Sequence, residues 1–596
     1  MFKKILIANR GEIALRLLTA CKELGCKTAI IYAQVDDSSN LLNYADEKYL
    51  IPGKPIEAYL NIDAIIQTAK QNNIDAIHPG YGFLSENYHF AKSCTENNIA
   101  FIGPNYNIIK QMGSKIESRQ LMAKYNIPMV PGTITAINDI DEVKAFAQTY
   151  NYPIACKASG GGGGRGFVLI NQADEIESAL KKASSESLRY FGSSDIYLEK
   201  YFKEAKHIEV QIMADNYGNI ITLGERDCST QRRHQKLIEE SPAASISPSV
   251  RKTLHETAIK IAKLINYNNI GTIEFLVADD KIYFLEVNSR IQVEHPVTEV
   301  TTHIDIAKEQ IRLASGEKLQ YSQNIIPVGH GIEFRINAEN PYANFQPNFG
   351  RIDSFTVPQQ PFVRVDTHCH NNYEITPYFD SLLAKLIIWG KDRNEAIQRS
   401  KIALENFKIT GIETTLDFHR KIIDDKIFIN DKIFTSYVET EFIHLLKSNS
   451  TQNKPSQTAS KTLTANTPNI ITQADQLTQL ANSKSFRVKV DNEIFNVEIA
   501  EIKSSKTPLK FKQNKINHFT KPLDEEIISV KMPGLIKNIL VKSGDIIKAG
   551  QKLLVIEAMK MESEIVANHD GQVDEILVKP DETVDGNATL MKIKML

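Results

Sequence analysis

Short apolar runs alternate with amphipathic helical segments through the first hundred residues. The runs KILIA, KTAIIYA, IDAIHPG and IAFIG are separated by longer segments, of which EIALRLLTACKELG is a clear helical pattern. This alternation is typical of βαβ units and predicts a parallel sheet. Charged residues interrupt the first segment and no small-residue cleavage site follows it. We therefore interpret it as a buried strand that leads into a helix rather than as a targeting signal.

The pattern becomes rich in predicted strands from about residue 130, and mixed α and β patterns return before about residue 446. Residues 447–485 are rich in Ser, Thr, Gln and Asn and poor in large apolar residues, which is typical of a flexible linker. The rest of the chain predicts, in order, a small β-hairpin at 486–502, a basic linker at 503–526 and a compact domain of two similar halves at 527–596.

The segment GTIEFLVADDKIYFLEVN predicts two apolar strands joined by a tight turn. A three-residue turn at 279–281 places Glu274 opposite Glu286, with Asn288 two residues further on the same face. Like charges that face each other across a ladder are destabilising unless a cation lies between them. These oxygen ligands predict a Mg²⁺ site that bridges nucleotide phosphates, and the alternative is a solvated strand face.

The residues after this hairpin add two charges that suit catalysis. Arg290 and Glu294 continue the alternating register of Asn288. They predict a cation for an anionic substrate and a carboxylate base beside the metal site.

The segment YPIACKASGGGGGRGFVLI places five consecutive glycines between two predicted strands. Glycine lets backbone N–H groups approach phosphate oxygens, and Lys157 and Arg165 supply positive charge. The strand after the loop argues against a dinucleotide fold, which requires a helix there, and a P-loop would end in Gly-Lys-Ser/Thr. The pattern favours a glycine-rich hairpin that covers nucleotide phosphates, and the alternative is a flexible loop without a ligand.

Two further polar segments fit the same predicted pocket. KHIEVQIMAD alternates polar and apolar residues, so its polar face is expected to line a cleft, although a structural histidine is the commoner outcome. The polar segment that follows it along the chain could equally be a surface loop. The candidate residues of the two segments are His207, Glu209, Gln211, Gln231, His234 and Lys236.

The 596 residues have a formal net charge of -2 and a pI near 6.7, which offers no broad attraction to nucleic acid or to anionic membranes. No uninterrupted apolar run approaches the roughly 20 residues that span a bilayer. The six cysteines are scattered without a CxxC pair, so the sequence predicts neither a zinc site nor a disulfide framework. We expect a cytoplasmic enzyme.

Near the C-terminus, LLVIEAMKMESEIV predicts two strands with Lys560 near the tip of their connection. A lone lysine in a turn is usually an ordinary surface residue. Its neighbours suggest a different role, because VIEAMKMESEI resembles the biotin carboxyl carrier domain, in which the central lysine bears biotin.

The motifs ANRGEIALR, HPGYGFLSEN, KASGGGGGRGF, RDCSTQRRHQKLIEESPA, LEVNSRIQVEHPVTE and EFRINAEN resemble those of biotin carboxylase, an ATP-grasp enzyme, up to about residue 446. Together the two sets of motifs resemble the α subunit of a biotin-dependent acyl-CoA carboxylase, over nearly the whole chain except the linkers. The resemblance implies an α/β and α+β fold, with a parallel βαβ domain at the N-terminus and an all-β biotinyl/lipoyl-type barrel-sandwich domain at the C-terminus. The implied domains are the N-terminal biotin carboxylase domain at 1–113, the ATP-grasp region with its glycine-rich lid at 114–334, the C-terminal biotin carboxylase domain at 335–446 and the biotinyl carrier domain at 527–596.

The resemblance also implies roles for particular residues. Glu294 would deprotonate bicarbonate, Arg335 would stabilise the biotin enolate, and Lys560 would carry biotin. Magnesium or manganese would be held by Glu274, Glu286 and Asn288. Bicarbonate would be bound by Lys236, Arg290, Gln292 and Val293. ATP would be contacted by Lys115, Lys157, Gly162, Gly163, Gly164, Glu199, Lys200, His207, Gln231 and His234.

The implied reaction starts with attack of bicarbonate on the γ-phosphate of ATP, and ends with carboxylation of biotin. The segments after residue 446 leave no room for a carboxyltransferase domain, so we expect the acceptor site on a separate carboxyltransferase subunit. The other implied partners are biotin protein ligase and further copies of the biotin carboxylase part, which would form a homo-oligomer. The alternative is the corresponding subunit of a pyruvate or urea carboxylase. An inactive biotinyl scaffold is disfavoured by the intact set of charged residues.

Overall fold

The structure is a computed structural model of the 596-residue chain. The chain splits into two units, Met1–Gln452 with Ile527–Leu596, and Asn453–Glu526. The residues that the structure describes are 1–137, 139–159, 166–191, 193–321, 325–446, 483–490, 493–500, 525–530, 534–558, 561–580, 582–584 and 588–595.

A parallel five-stranded sheet forms the N-terminal part of the chain, which confirms the predicted βαβ pattern. Its strand order is β3-β2-β1-β4-β5, and every neighbouring pair is parallel. The elements are β1 (Lys4–Ile7), α1 (Gly11–Glu23), β2 (Lys27–Tyr32), β3 (Glu47–Leu50), α2 (Pro55–Leu60), α3 (Ile62–Gln71), β4 (Ala76–His78), α4 (Tyr88–Glu96) and β5 (Ala100–Phe101), with short 3₁₀ helices at Gln34–Asp36 and Asn40–Tyr44.

Strands dominate the next part of the chain. Its elements are α5 (Tyr106–Gly113), α6 (Lys115–Lys124), α7 (Ile140–Tyr150), β6 (Ile154–Ala158), β7 (Phe167–Ile170), α8 (Ile176–Phe191), β8 (Ile196–Lys200), β9 (Lys206–Ala214), β10 (Ile220–Arg232), β11 (Gln235–Ser241), α9 (Pro248–Leu264), β12 (Asn269–Ala278), β13 (Lys281–Asn288), α10 (His295–Thr302) and α11 (Ile306–Ala314), with a 3₁₀ turn at Ala173–Glu175.

The part that follows ends at residue 446. Its elements are β14 (His330–Asn337), β15 (Glu339–Asn340), β16 (Gln346–Pro347), β17 (Gly350–Arg351), β18 (Ser354–Thr356), β19 (Val363–Thr367), β20 (Glu374–Ile375), β21 (Leu382–Gly390), α12 (Arg393–Asn406), β22 (Lys408–Thr410), α13 (Leu416–Ile422) and α14 (Lys426–Ile429), with a 3₁₀ turn at Pro341–Ala343 and a π-helical turn at Val438–Phe442.

An eight-stranded sheet organises both of these parts, in the order β13-β12-β9-β10-β11-β14-β21-β19. Alternation along β9 separates its two faces. Ile208, Val210 and Ile212 join the apolar core that α9 covers, whereas His207, Glu209 and Gln211 lie on the opposite, polar face, as the sequence predicts. A smaller antiparallel sheet, β7-β6-β8, holds the strands on either side of the glycine segment. The predicted strand after that segment is confirmed.

The predicted pairing of Glu274 with Glu286 is confirmed, but the predicted three-residue turn is wrong. Ala278 pairs with Lys281, so only Asp279 and Asp280 form the turn, and a register shift next to Glu274 supplies the extra residue on β13. The bulge restores the same pairing that the longer turn would have given. Both turn residues have positive φ, 51° and 55°, which is the backbone of a two-residue hairpin turn that favours Asn-Gly.

The C-terminal domain consists of two four-stranded sheets with the orders β25-β32-β30-β27 and β29-β28-β26-β31, which agrees with the expected all-β domain. Apolar residues of both sheets form its core. Before it, β23 (Ser483–Val490) and β24 (Glu493–Ala500) pair as the hairpin that the sequence predicts. The domain's strands are β25 (Glu525–Ser529), β26 (Gly534–Ile539), β27 (Ile546–Ile547), β28 (Lys552–Ala558), β29 (Met561–Val566), β30 (Gly571–Ile576), β31 (Thr583–Val584) and β32 (Thr589–Met595).

Among the helices that the structure describes, none combines the length and the apolar composition needed to cross a bilayer.

The hairpin turn gives a first prediction. Asp280→Gly should raise the free energy of unfolding by about 0.5 kcal/mol, because relief of left-handed backbone strain exceeds the entropic cost of glycine. Asp280→Ala is the matched control and should lower the free energy of unfolding by about 1 kcal/mol, since alanine tolerates positive φ less well than aspartate. Urea unfolding of the three proteins measures the difference. Equal stability of the two variants would contradict the turn geometry.

Candidate active site

One row of charged residues crosses four neighbouring strands of the large sheet. The register places Arg226 beside Glu209, Glu209 beside Glu274, and Glu274 beside Glu286. All four side chains lie on the polar face, opposite the core. Three carboxylates in adjacent ladder positions repel one another, so the row requires cations around it.

Lys236 on β11 supplies the central cation. Its Nζ atom lies 2.5 Å from Glu209 Oε2, 3.0 Å from Glu274 Oε1 and 2.6 Å from Glu294 Oε1. Burial opposes the charge of the lysine, but the surrounding acidic groups, including Cys228, raise its pKa well above the usual value. A single ammonium group therefore joins residues from β9, β12 and the segment before α10.

Glu294 is held between two cations. Its Oε2 atom accepts a hydrogen bond from Arg335 Nη2 at 2.8 Å, while Oε1 faces Lys236. The side chain is buried, and burial opposes its ionisation, but Lys236 and Arg335 outweigh burial and hold the pKa of the carboxyl well below its usual range. At neutral pH Glu294 is therefore a carboxylate that can accept a proton from a group bound beside it.

Arg290, which the sequence places in the same register as Glu294, is paired with other residues in the structure. Arg290 donates from Nε to Glu86 at 2.8 Å and from Nη2 to Asn288 Oδ1 at 2.8 Å. The arginine that pairs with Glu294 is Arg335 instead. The strand ends at Asn288, and Glu294 is the N-cap residue of α10. The alternating register does not reach Glu294 because a loop and a helix replace the strand.

The residues predicted to hold a metal lie together. Asn288 Nδ2 donates to Glu274 Oε1 at 2.8 Å, and Glu286 Oε2 pairs with Lys115 Nζ at 2.8 Å. Two carboxylates and an amide oxygen are hard ligands of the type that Mg²⁺ prefers. The donor set therefore fits a divalent cation in the type of its ligand atoms, and the ion would compete with Lys115 and Lys236 for the two carboxylates.

Among the residues that the structure describes, two other groups of side chains have ligand atoms close enough to hold a metal. They are His207 with Glu209 and Glu274, and Glu209 with Cys228 and Glu294. Lys236 already bridges all three of these carboxylates, and His207 Nε2 lies 2.8 Å from Glu274 Oε2. The predicted set shares Glu274 with the first of these groups, and the assignment of Glu274, Glu286 and Asn288 as metal ligands stays a prediction.

The residues predicted to contact a nucleotide form a second charged group. Glu199 lies between Lys157 at 2.5 Å and Arg119 at 2.6 Å, so its carboxylate orients two cations. Lys200 lies over the ring of Phe202, 5.2 Å from its centroid. Gly162, Gly163 and Gly164 lie outside the described residues.

Three polar residues beside this group were also predicted to contact the nucleotide. Gln231 Nε2 lies 3.4 Å from His207 Nδ1. His234 has a φ of 61° and lies against Phe167, with ring centroids 4.5 Å apart. Burial and the nearby charge of Lys157 lower the pKa of His234 to about 4. It is therefore neutral at pH 7 and can pack against an apolar or aromatic group.

Gln292 and Val293 complete the set of predicted substrate residues. Gln292 donates from Nε2 to Glu274 Oε1 at 2.9 Å and accepts from Arg226 at 2.8 Å. The carbonyl of Val293 accepts a hydrogen bond from Lys385 at 3.0 Å. Both residues precede α10, so these bonds fix the loop that carries Glu294.

Sequence reasoning missed Arg226. This residue is fully buried, and its guanidinium donates five hydrogen bonds, which reach Glu209, Gln211, Thr272, Gln292 and Thr298. It connects β9, β10 and β12 with the loop before α10 and with α10 itself. The available signal was its place at the start of RDCSTQRRHQKLIEESPA, the polar segment that could equally have been a surface loop.

In the C-terminal domain, β28 and β29 pair antiparallel as far as Ala558 opposite Met561. The intervening residues, including Lys560, lie outside the described part of the chain. Buried Lys537 forms an ion pair with Glu557 close to the end of β28.

Four family models match successive parts of the chain. They are the biotin carboxylase N-terminal domain at residues 1–109, the carbamoyl-phosphate synthase L chain ATP-binding domain at 114–322, the biotin carboxylase C-terminal domain at 333–440, and the biotin-requiring enzyme domain at 526–593. Together they define an ATP-grasp ligase joined to a biotin-type domain.

The curated relatives differ in how much of this chain they match. A pyruvate carboxylase subunit of Methanothermobacter thermautotrophicus is 47% identical over 442 residues, which cover 74% of this chain and 90% of that protein. The biotin-dependent acyl-coenzyme A carboxylase alpha3 subunit of Mycobacterium leprae is 36% identical over 604 residues, which cover 99% of this chain and 98% of that protein.

Among solved structures, the biotin carboxylase domain dimer of Hydrogenobacter thermophilus 2-oxoglutarate carboxylase, in complex with MgADP, ADP and bicarbonate, matches with a TM-score of 0.72. It is 46% identical, and the match covers 74% of this chain and 97% of that one. The biotin carboxylase of Campylobacter jejuni also matches with a TM-score of 0.72 at 44% identity, covering 74% of this chain and 98% of that one.

The chain belongs to the biotin-dependent carboxylases, as a subunit that joins a biotin carboxylase to a biotin-bearing domain. Its reaction is the ATP-dependent carboxylation of biotin with bicarbonate, and its cofactors are biotin, ATP and Mg²⁺.

Arg226 gives a second prediction. Arg226→Met should lower the free energy of unfolding by about 3 to 5 kcal/mol, because it removes the partner of a fully buried carboxylate and leaves several polar groups unsatisfied. Denaturant unfolding measures this loss. Lys252→Met is the control, since Lys252 is largely exposed and its one ion pair within the described part of the chain is with Glu256 on the helix surface. Its effect should stay within about 0.5 kcal/mol. Similar effects of the two substitutions would contradict the role of Arg226.

Proposed function

We propose that this chain performs the first half-reaction of an acyl-CoA carboxylase, with Glu294 as the base, and that it carries its biotin on Lys560. The observation that carries the proposal is the position of the Glu294 carboxylate, which is held between Lys236 and Arg335 and within reach of the row of carboxylates on the large sheet.

Glu294 accepts the proton of bicarbonate in this proposal. Lys236, Arg290 and Gln292 are the residues proposed to bind bicarbonate, because two cations and an amide favour a small anion. Deprotonated bicarbonate then forms a bond to the γ-phosphorus of ATP while the bond to ADP breaks. Phosphoryl transfer of this kind depends mainly on positioning and on neutralisation of charge, and Lys115 and Lys157 are placed to supply positive charge to the nucleotide phosphates.

Arg335 is the residue proposed to stabilise negative charge on the ureido oxygen of biotin. Its guanidinium is fixed at both ends, by Glu239 at 2.6 Å and by Glu294 at 2.8 Å. A fixed cation costs no reorganisation when the charge develops. Glu274, Glu286 and Asn288 would hold magnesium, whose contribution is to neutralise the nucleotide phosphates.

The acyl-CoA acceptor is supported by the extent of one match. The acyl-coenzyme A carboxylase alpha3 subunit matches this chain over nearly the whole length of both proteins. The second candidate is a 2-oxo acid such as pyruvate or 2-oxoglutarate, which is favoured by the higher identity of the catalytic part to subunits of those carboxylases. In either case we propose a separate carboxyltransferase subunit, modification by biotin protein ligase, and pairing of two carboxylase parts, as in the related domain dimer.

Glu294 gives a third prediction. Glu294→Gln keeps the size of the side chain but removes the base, so biotin carboxylation should fall by about 10²-fold to 10⁴-fold, while the KM for ATP changes by less than about threefold. Steady-state assays with free biotin measure both values. Glu309→Gln is a suitable control, because Glu309 is also buried but pairs with Arg312 on α11, outside the cluster. Near-normal turnover of Glu294→Gln would place the base elsewhere.

The acceptor gives a fourth prediction. With ATP, Mg²⁺ and labelled bicarbonate, the biotinylated chain alone should accumulate label on protein, and Lys560→Ala should accumulate none. Acetyl-CoA or propionyl-CoA should remove the label only after a carboxyltransferase subunit is added. Label on protein and on CoA ester is followed in parallel. Transfer to a CoA ester by the isolated chain would overturn the proposal of a separate carboxyltransferase, and transfer only to pyruvate or 2-oxoglutarate with a partner would select the second candidate.

A further inference from the structure

Two glutamates face each other in the sheet immediately behind Arg335. Glu239 on β11 and Glu333 on β14 are direct partners in the antiparallel ladder, and both are 0% exposed. Side chains at directly opposite ladder positions have Cβ atoms about 4.5 to 5.5 Å apart. Two ionised carboxylates in this position, without water around them, would be strongly destabilising.

Each carboxyl group uses only one of its oxygen atoms. Glu239 Oε1 accepts from Arg335 Nε at 2.6 Å, and Glu333 Oε2 accepts from the backbone N–H of Val297 at 3.2 Å. The other two atoms, Glu239 Oε2 and Glu333 Oε1, are buried and have no hydrogen-bond partner among the residues that the structure describes. Two carboxyl groups that face each other, each with one unsatisfied oxygen, can satisfy both atoms by sharing one proton.

The charges around the pair are consistent with one negative charge rather than two. Arg335 is the only cation in direct contact with Glu239 among the described residues, and it also neutralises Glu294. Lys385 on β21 lowers the pKa of Glu333, but its ammonium group is paired with Glu12 at 3.0 Å. Lys236, on the same strand as Glu239, also lowers the pKa of Glu239, but the ammonium group of Lys236 is surrounded by three other carboxylates. The local cations are therefore already shared.

We propose that Glu239 and Glu333 share a single proton, and that this singly charged acid pair positions Arg335 and the start of α10 around Glu294. In this arrangement Glu333 Oε1 carries the proton and donates it to Glu239 Oε2. Glu239 then remains the carboxylate that Arg335 requires, while Glu333 accepts from Val297 at the N-terminus of the helix that Glu294 caps. The positioning role rests on the proposed function of Glu294 and Arg335, whereas the shared proton does not.

Electrostatics supports this assignment. Burial is the largest cause that raises the pKa of Glu239, to about 7, and it also raises the pKa of Glu333 well above the usual value. Glu239 and Glu294 also raise the pKa of Glu333, whereas Lys385 and Arg335 lower it. Burial thus lets the pair keep a proton at a pH where an ordinary glutamate has lost it, and the contact of Glu239 with Arg335 favours Glu333 as the carrier of that proton.

Infrared spectroscopy of the full chain provides the direct test, since a protonated carboxyl has a C=O stretch that a carboxylate lacks. The spectrum of the wild type minus that of Glu333→Gln should contain this absorption at pH 6, because the variant lacks the group that carries the proton, and the difference should disappear only above the raised pKa of Glu333. The spectrum of the wild type minus that of Glu239→Gln should contain it too, because the shared proton loses its acceptor. Glu240→Gln is the matched control. Glu240 is the next residue on β11, but Arg393 and His330 help to lower its pKa to about 2, so its replacement should leave the absorption unchanged.

The pH dependence of folding tests the same proton without any assay of activity. A retained proton raises the folded-state pKa above that of the unfolded chain, so the stabilisation is complete below about pH 4.3 and is lost as the pH rises through the raised folded-state pKa of Glu333. Within this window the folding equilibrium constant of the wild type should fall about tenfold per pH unit relative to Glu333→Gln.

Identical pH slopes for the wild type and Glu333→Gln, or an absorption that persists in both single variants, would overturn the shared proton. If Glu333→Gln does not fold, the spectrum of the wild type minus that of Glu239→Gln decides, because other carboxyl groups with raised pKa values, such as Glu339 and Asp431, cancel in it. Loss of carboxylation in Glu294→Gln with no sign of a shared proton would leave the proposed function intact and reject this inference alone.

Discussion

The site depends on one ammonium group. Lys236 Nζ lies within 3.0 Å of carboxylates from three different segments, and without it Glu209, Glu274 and Glu294 would be buried like charges with too little compensation. The same charge keeps Glu294 ionised, which a base requires. Stability and chemistry therefore depend on the same contacts, because a cluster that neutralises its own charges also sets the protonation state of its members.

The large sheet makes this cluster possible by its register. Alternation turns every second residue of β9 and β12 to one face, and the antiparallel pairing brings Arg226, Glu209, Glu274 and Glu286 into one row. The apolar residues between them bury the opposite face against α9. A rigid sheet of this kind holds charged groups in fixed positions, which is what charge neutralisation during phosphoryl transfer requires.

Local patterns predicted much of this arrangement. The βαβ alternation, the polar face of β9 and the pairing of Glu274 with Glu286 all follow from periodicities of two or of about 3.6 residues. The partners of Arg290 and Arg335 do not, because Glu86 lies 204 residues from Arg290 and Glu239 lies 96 residues from Arg335. The two-residue turn and its compensating bulge were also missed, since a bulge changes the register without a clear signal in the sequence.

The most direct test of the central claim follows an oxygen atom. If this site joins bicarbonate to the γ-phosphorus of ATP, ¹⁸O-labelled bicarbonate should transfer one labelled oxygen to the phosphate released during biotin carboxylation. Mass spectrometry of the phosphate measures the transfer, in unlabelled water and at short reaction times that limit exchange. One ¹⁸O per phosphate is the predicted result. Phosphate without label, produced at the same rate as ADP, would show that water attacks ATP and would contradict the account.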